Sequence, residues 1–277
     1  MAVLRSLKQT PGRLLEQPIL FVPIVALGLL QTPQLFTQTL DPIVSSVVSL
    51  GFTGLMLFVM PFFVAGLVGM ANDVATGNRT SVGRFLECGK TYYASAFGGY
   101  LVVFGISIVL GFAIGIAFLL GVLTFVLLGG GAVAAAAAVL IVGVGVLAYL
   151  AVMALFQFFG HAVVIDDARA FDSIKRSVDV VRANVLKVFG YYLVVLFGSG
   201  VVGGLYGGMI LWLFPPATAG QPAPAPDLGS ALTAVSVGTL LTTVAGGLFL
   251  VFSVLFYRSI TGLDKGETPG SGSTIHL

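Results

Sequence analysis

Between Thr91 and Ile165 the chain carries no Asp, Glu, Lys or Arg, a run of 75 residues. A water-soluble domain of this size needs far more charge: only 9% of the 277 residues are charged, 57% are hydrophobic, and mean hydropathy is +1.07. Further charge-free runs extend over Gln17–Leu40, Pro42–Asn72, Val188–Pro226 and Leu228–Tyr257. A helix needs roughly 20 apolar residues to cross about 30 Å of hydrocarbon. Each shorter run therefore fits one span. The longest fits two, with Gly129-Gly130-Gly131 as the turn between them.

Backbone N–H and C=O groups cannot go unpaired in lipid, and none of these runs alternates as barrel strands do. The expected fold is therefore all-α, a polytopic integral membrane protein of six transmembrane helices. The spans fall near Pro18–Leu40, Ser46–Met70, Ser95–Leu128, Ala132–Val164, Leu186–Leu213 and Gly229–Tyr257. The third and fourth exceed what a bilayer requires, so they tilt, break or extend beyond it. The N-terminal MAVLRSLKQTPGRLLEQP is too polar for a signal-peptide core and shows no A-x-A cleavage site. The first span is thus read as permanent. Cys88 is the single cysteine, so no internal disulfide forms. It reads as a small residue beside an amphipathic helix, with palmitoylation as the alternative.

The basic residues orient the bundle. Arg5, Lys8 and Arg13 precede the first span. Arg79, Arg84 and Lys90 lie between spans two and three, and Arg169, Lys175, Arg176, Arg182 and Lys187 between four and five. Arg258 and Lys265 follow the sixth, which accounts for all 13 Lys and Arg. Basic residues in short loops stay cytoplasmic. Both termini are expected inside a cell membrane that the chain crosses several times. The loops left for the outer side are 41–45, the glycine turn, and the Pro/Ala-rich Pro215–Gly229. The last reads as an extended, polyproline-like linker.

Two stretches match without a gap at a spacing of 92 residues: Ser81–Gly111 over Ser173–Gly203. Identities include Ser81/Ser173, Arg84/Arg176, Phe97/Phe189, Gly98/Gly190 and Tyr100/Tyr192, and charge type is kept at Glu87/Asp179 and Lys90/Arg182. Oiliness explains the shared Leu-Val-Val but not the matched serine, arginine, acid and base. The N-terminal Arg5 and Ser6 answer Arg176 and Ser177 as a more eroded third copy. The expected organisation is a six-helix domain over 1–263, with parallel repeat units at about 1–80, 81–171 and 172–263. Each unit is an interfacial amphipathic helix plus two spans. A disordered cytoplasmic tail follows at 264–277.

Spacing gives the apolar stripe of each short helix. It is Phe171, Ile174, Val178, Val181 and Val185 in the later copy, and Val82, Phe85, Leu86, Gly89 and Tyr93 in the earlier. Such a helix lies in the membrane interface with its bases toward lipid phosphates. Arg84, Lys90, Lys175, Arg176, Arg182 and Lys187 are the expected interface and topology residues, each contributing about 1 kcal/mol near an anionic surface. Docking of a soluble partner is the alternative use of the same bases.

The string FDSIKRSVDVVRANVLKVFGYYLVV (171–195) resembles a segment of prokaryotic six-span families. These are related to the membrane domain found beside glycerophosphodiester phosphodiesterases. Arg176, Ser177, Val181, Asn184 and Gly190 carry the likeness. The Ala/Val/Gly-rich, Arg-over-Lys composition also resembles an uncharacterised membrane family of halophilic archaea. The resemblance implies membrane residence. The phosphodiesterase catalytic domain has no counterpart here, so that activity is not carried over.

No catalytic set assembles. His161 with Asp166 and Asp167 lacks a shared helical face and a second nearby histidine, so no metal is expected. No nucleophile elbow surrounds any serine. The glycine-rich Gly203–Gly208 follows no strand and precedes no Lys-Ser/Thr, so no phosphate loop is expected. Gly111, Gly115, Gly204 and Gly208 stand at helix-packing spacing instead. No charge lies deep in a span, against the pattern of proton relays and charged-ligand sites. The expected protein is a non-enzymatic membrane component or scaffold subunit without cofactor. Its expected partners are the lipid bilayer and a membrane or cytoplasmic protein, with no nucleic acid. The alternative is a permease subunit or transporter of a neutral or lipid-like substrate.

Overall fold

A computed structural model describes residues 2–31, 41–214 and 228–263. Among them no strand occurs, and ten α-helices follow in order. They are α1 (Ala2–Glu16), α2 (Phe21–Gln31) after a short 3-10 turn (Pro18–Leu20), α3 (Pro42–Thr76), α4 (Val82–Thr91) and α5 (Tyr93–Leu127). Then come α6 (Ala132–Leu155), α7 (Phe159–Ile165), α8 (Ala170–Ala183), α9 (Val185–Leu213) and α10 (Leu228–Thr261). Among the described residues, five helical stretches are long and apolar enough to cross a membrane: α3, α5, α6 with α7, α9 and α10. A sixth forms if α1 and the Pro18–Gln31 segment, bent by 91°, count as one. This is the all-α polytopic architecture expected from the charge-free runs.

Several boundaries differ from the expectation. The first span is described only to Gln31, and its remainder lies outside the described residues. The expected 41–45 loop is helical from Pro42. Asp41 caps α3 by accepting the Ile43 N–H at 2.9 Å, and Pro42 takes the first turn, where its missing N–H costs nothing. At its other end α3 runs past Met70 to Thr76. It closes with Gly77 at φ 81, where Gly77 N–H reaches Val74 O and Asn78 N–H reaches Asp73 O, the Schellman pattern. The expected fourth span breaks at Phe156–Phe158. The Pro215–Gly229 linker, up to 227, and the 264–277 tail lie outside the described residues.

The chain divides into two compact units. The first is Met1–Thr91 with Asn184–Leu277, and the second is Tyr92–Ala183. In the first, α10 is the centre and packs against α1, α2, α3 and α9. Every residue from Val251 to Arg258 is buried, so this stretch is covered all round rather than along one stripe. Tyr191 of α9 stacks on Phe252 and Phe256, with ring centroids 5.2 and 4.9 Å away. In the second unit α5 and α6 form a hairpin turned by Gly129 and Gly130, both at positive φ. The short α7 and α8 pack on each other, and α8 also contacts α5 and α6.

Glycine sets the close approaches, but not at the expected positions. Among the described residues, a Cβ added at Gly111, Gly115, Gly204 or Gly208 meets nothing within 4 Å, so no described helix seats against them. The tight contacts lie elsewhere. An added Cβ would clash with the Phe85 ring at Gly66, and would stand 2.7 Å from Phe62 at Gly89, 2.9 Å from Phe159 at Gly99 and 2.7 Å from Phe21 at Gly247. Regular small-residue spacing marks a face that permits close packing. An aromatic ring on the partner element decides where that packing occurs.

Candidate functional site

The chemistry-bearing side chains gather where a long helix ends and a short helix packs back on it. In the first unit α4 lies on the C-terminal part of α3, burying Phe85, Cys88 and Gly89. In the second unit α8 lies on α7, burying Ser173, Ser177, Val180 and Val181. Adding 92 to 85, 88 and 89 gives 177, 180 and 181, so corresponding positions face inward in both. The α1 helix packs on α10 in the same manner, burying Ser6, Thr10 and Leu14.

This buried face keeps Phe85, Gly89 and Val181 of the expected stripes and is rotated away from the rest. Phe171 is 70% exposed and Val185 60%, while Val82 and Leu86 are also exposed. The physical reason lies in the partner. The break between α6 and α7 leaves backbone groups open, and the small Ser177 approaches them more closely than a large apolar side chain can. Ser177 Oγ donates to Leu155 O at 2.7 Å and accepts from Phe158 N–H at 3.1 Å. One hydroxyl thereby satisfies two of the groups released by the break between α6 and α7. Ser173, by contrast, bonds within its own helix, donating to Ala170 O at 2.7 Å. Its sequence match Ser81 instead caps α4, accepting the Arg84 N–H at 3.1 Å.

The two arginines matched by sequence make matched ion pairs. Arg84 Nε lies 3.3 Å from Asp73 Oδ2, and Arg84 Nη1 lies 3.2 Å from Glu87 Oε2. Arg176 Nε lies 2.7 Å from Asp166 Oδ2. The Arg84–Asp73 pair joins α4 to the end of α3, and the Arg176–Asp166 pair joins α8 to the end of α7; the Arg84–Glu87 pair lies within α4. The arginine side chains are 40% and 46% exposed, so each pair is worth on the order of 1 kcal/mol or less. Beside the Arg84 pair, the buried Arg258 of α10 donates to Asn72 Oδ1 of α3 at 3.0 Å. A shallow recess at Arg176 is lined by Asp166, Asp172, Lys175 and Asp179, a mixed set of charges.

Of the other expected interface residues, Lys90, Lys175, Arg182 and Lys187 are exposed. Lys187 donates to Asn184 Oδ1 at 2.8 Å. His161 is buried with its ring edge-on to Phe158, 5.5 Å between centroids. Among the described residues, no group of three or more His, Cys, Asp or Glu is placed to hold a metal ion. Sequence reasoning missed Asp73, Asp166 and Asn72 as partners. An acid ten or eleven residues before each matched arginine was a readable signal for the first two.

Residues 1–260 match the model of a family described as Domain of unknown function (DUF7847). The chain belongs to that family. No curated protein and no solved structure matches it. Nearly all the described helices fall inside the matched range, so the helix-end pairs are features of the family's own region of the chain.

Proposed function

We propose that this protein is a non-enzymatic, multi-pass component of the cell membrane that organises a membrane complex or the bilayer around it. The α5–α6 hairpin carries the reading. These helices are almost wholly apolar, yet the chain buries only Ala96, Gly99 and Gly121 of α5 and Ala134 of α6. Surface of that kind is stable only against lipid or another apolar helix. The polar side chains support a structural role too. Arg84, Asp73, Arg176, Asp166, Ser177, Arg258 and Asn72 are each bonded within the chain, holding helix ends together.

In this reading both termini are cytoplasmic, and the short helices α1, α4 and α8 lie at the cytoplasmic interface. The units at about 1–80, 81–171 and 172–263 are copies of one ancestral element. Supporting this, the chain leaves helical geometry at Tyr92 and Asn184, again 92 residues apart, and the buried positions and the paired arginines recur at the same spacing. The likeness to the membrane domain beside glycerophosphodiester phosphodiesterases rests on Arg176, Ser177, Val181, Asn184 and Gly190. Here Arg176, Ser177 and Val181 seat α8, and Asn184 precedes α9. Such residues build a scaffold and imply no phosphodiesterase activity.

A second reading, handling of a lipid-like substrate, is favoured by an apolar groove of about 570 Å³ in the first unit. The two are separated by purifying the protein in a lipid-retaining medium and reconstituting it into liposomes. The expected result is a stoichiometric protein partner, released when Lys90, Lys175, Arg182 and Lys187 are neutralised, with lipid exchange between leaflets no faster than in empty liposomes. Fast exchange by the chain alone, with no partner, overturns the scaffold reading.

A further inference from the structure

The groove lies between α9 and α10, and α1 reaches across it. Val3 of α1 sits against Gly190 of α9, and Leu14 of α1 against Gly247 of α10, each methyl 3.5 Å from where a Cβ would stand. Leu7, Thr10 and Pro11 line the groove on its α1 side. Below them the lining is hydrocarbon and aromatic, and Phe197, at 77% exposure, leaves the side open. Among the described residues on the wall Thr10 carries the only hydroxyl, and it is already spent on Ser6 O at 2.8 Å. The lining follows α10 from Leu241 to Phe252. That is about 16 Å at 1.5 Å per residue, close to the ~15 Å of hydrocarbon in one leaflet of a bilayer.

Charge identifies the other half of the occupant. Lys8 shares a face of α1 with Pro11, and Lys187 shares a face of α9 with Val194, both of which line the groove. Both lysines are exposed. The α9 and α10 helices contain no acid, and α1 contains only Glu16, at its far end. We propose that this groove seats one acyl chain of an anionic phospholipid, with Lys8 and Lys187 holding its phosphate at the α1 end. The proposal rests on the membrane reading above and names the lipid class that this surface selects.

The test uses the full chain reconstituted into vesicles of equal phosphatidylglycerol and phosphatidylcholine, extracted in mild detergent and analysed by native mass spectrometry. The expected result is retained phosphatidylglycerol in preference to phosphatidylcholine. Lys8→Ala with Lys187→Ala should reduce that preference about tenfold or more, given what each base contributes near an anionic surface. Ala245→Phe, which fills the groove, should lose the lipid while keeping both lysines. Should that variant fold poorly, Phe197→Trp in a Trp212→Phe background gives an independent readout. Its fluorescence should be quenched more by phosphatidylglycerol with brominated chains than by brominated phosphatidylcholine. Equal retention of both lipids, unchanged retention in the lysine variant, or a second copy of the chain covering the groove overturns the proposal. Each of those outcomes leaves membrane residence intact. A chain that needs no detergent for extraction would instead overturn the membrane reading itself.

Discussion

At the scale of single residues, hydroxyls and glycines do the work that charge cannot do in an apolar chain. Ser177 answers two backbone groups with one side chain. Replacing it with alanine leaves the Phe158 N–H and Leu155 C=O without that partner, which costs about 1–3 kcal/mol. Scanning fluorimetry in detergent should show a lower Tm for Ser177→Ala, and an unchanged Tm would contradict the role. Gly66 faces the Phe85 ring across a gap too small for a methyl group. Gly66→Ala should destabilise by about 1–3 kcal/mol through overpacking, whereas Gly204→Ala, with open space around it, should melt like the parent. Cys88 is buried, and burial pushes its thiol up, with the Arg84 guanidinium opposing. A raised thiol pKa means less thiolate at any given pH, and thiolate is the reactive form. Maleimide should therefore leave Cys88 unlabelled near pH 7 in the folded protein and label it once the chain is denatured.

At the scale of elements, the recurring motif is a short helix folded back on the end of a long one and pinned by arginine and aspartate. Reversing the pair tests it. Arg176→Asp alone should destabilise, and adding Asp166→Arg should restore part of the loss. The coupling measured by the double-mutant cycle should be on the order of 0.5–1 kcal/mol, as for other partly exposed pairs. A coupling near zero would mean that the 2.7 Å contact is incidental. This is also the scale at which the sequence was only partly readable. The long helices were legible because apolarity over twenty or more residues is a local property. The faces of α4 and α8 were legible only in part, at Phe85, Gly89 and Val181, because period alone takes the largest apolar residues as the inner ones. Here Ser173 and Ser177 point inward and Phe171 outward. The break at Phe156–Phe158 has no proline or glycine to announce it. It is accommodated by Ser177, 22 residues after Leu155. The start of α3 was readable and was missed: Asp41-Pro42 ahead of an apolar run is a helix-start signal.

At the scale of the whole molecule, charge sets the threading. The segregation of all 13 Lys and Arg into alternate loops predicts six crossings with both termini inside. Five helices satisfy the length and apolarity of a span outright, and the bent α1–α2 segment decides between five and six. The most direct test is labelling of single introduced cysteines by a membrane-impermeant maleimide in intact cells, with the silent Cys88 as background. Gly131→Cys, in the turn between α5 and α6, should label from outside. Asn78→Cys, between α3 and α4, and Ala2→Cys, at the N-terminus, should label only after the membrane is permeabilised. If Ala2→Cys labels from outside while Asn78→Cys does not, the chain crosses five times and the six-span account is wrong.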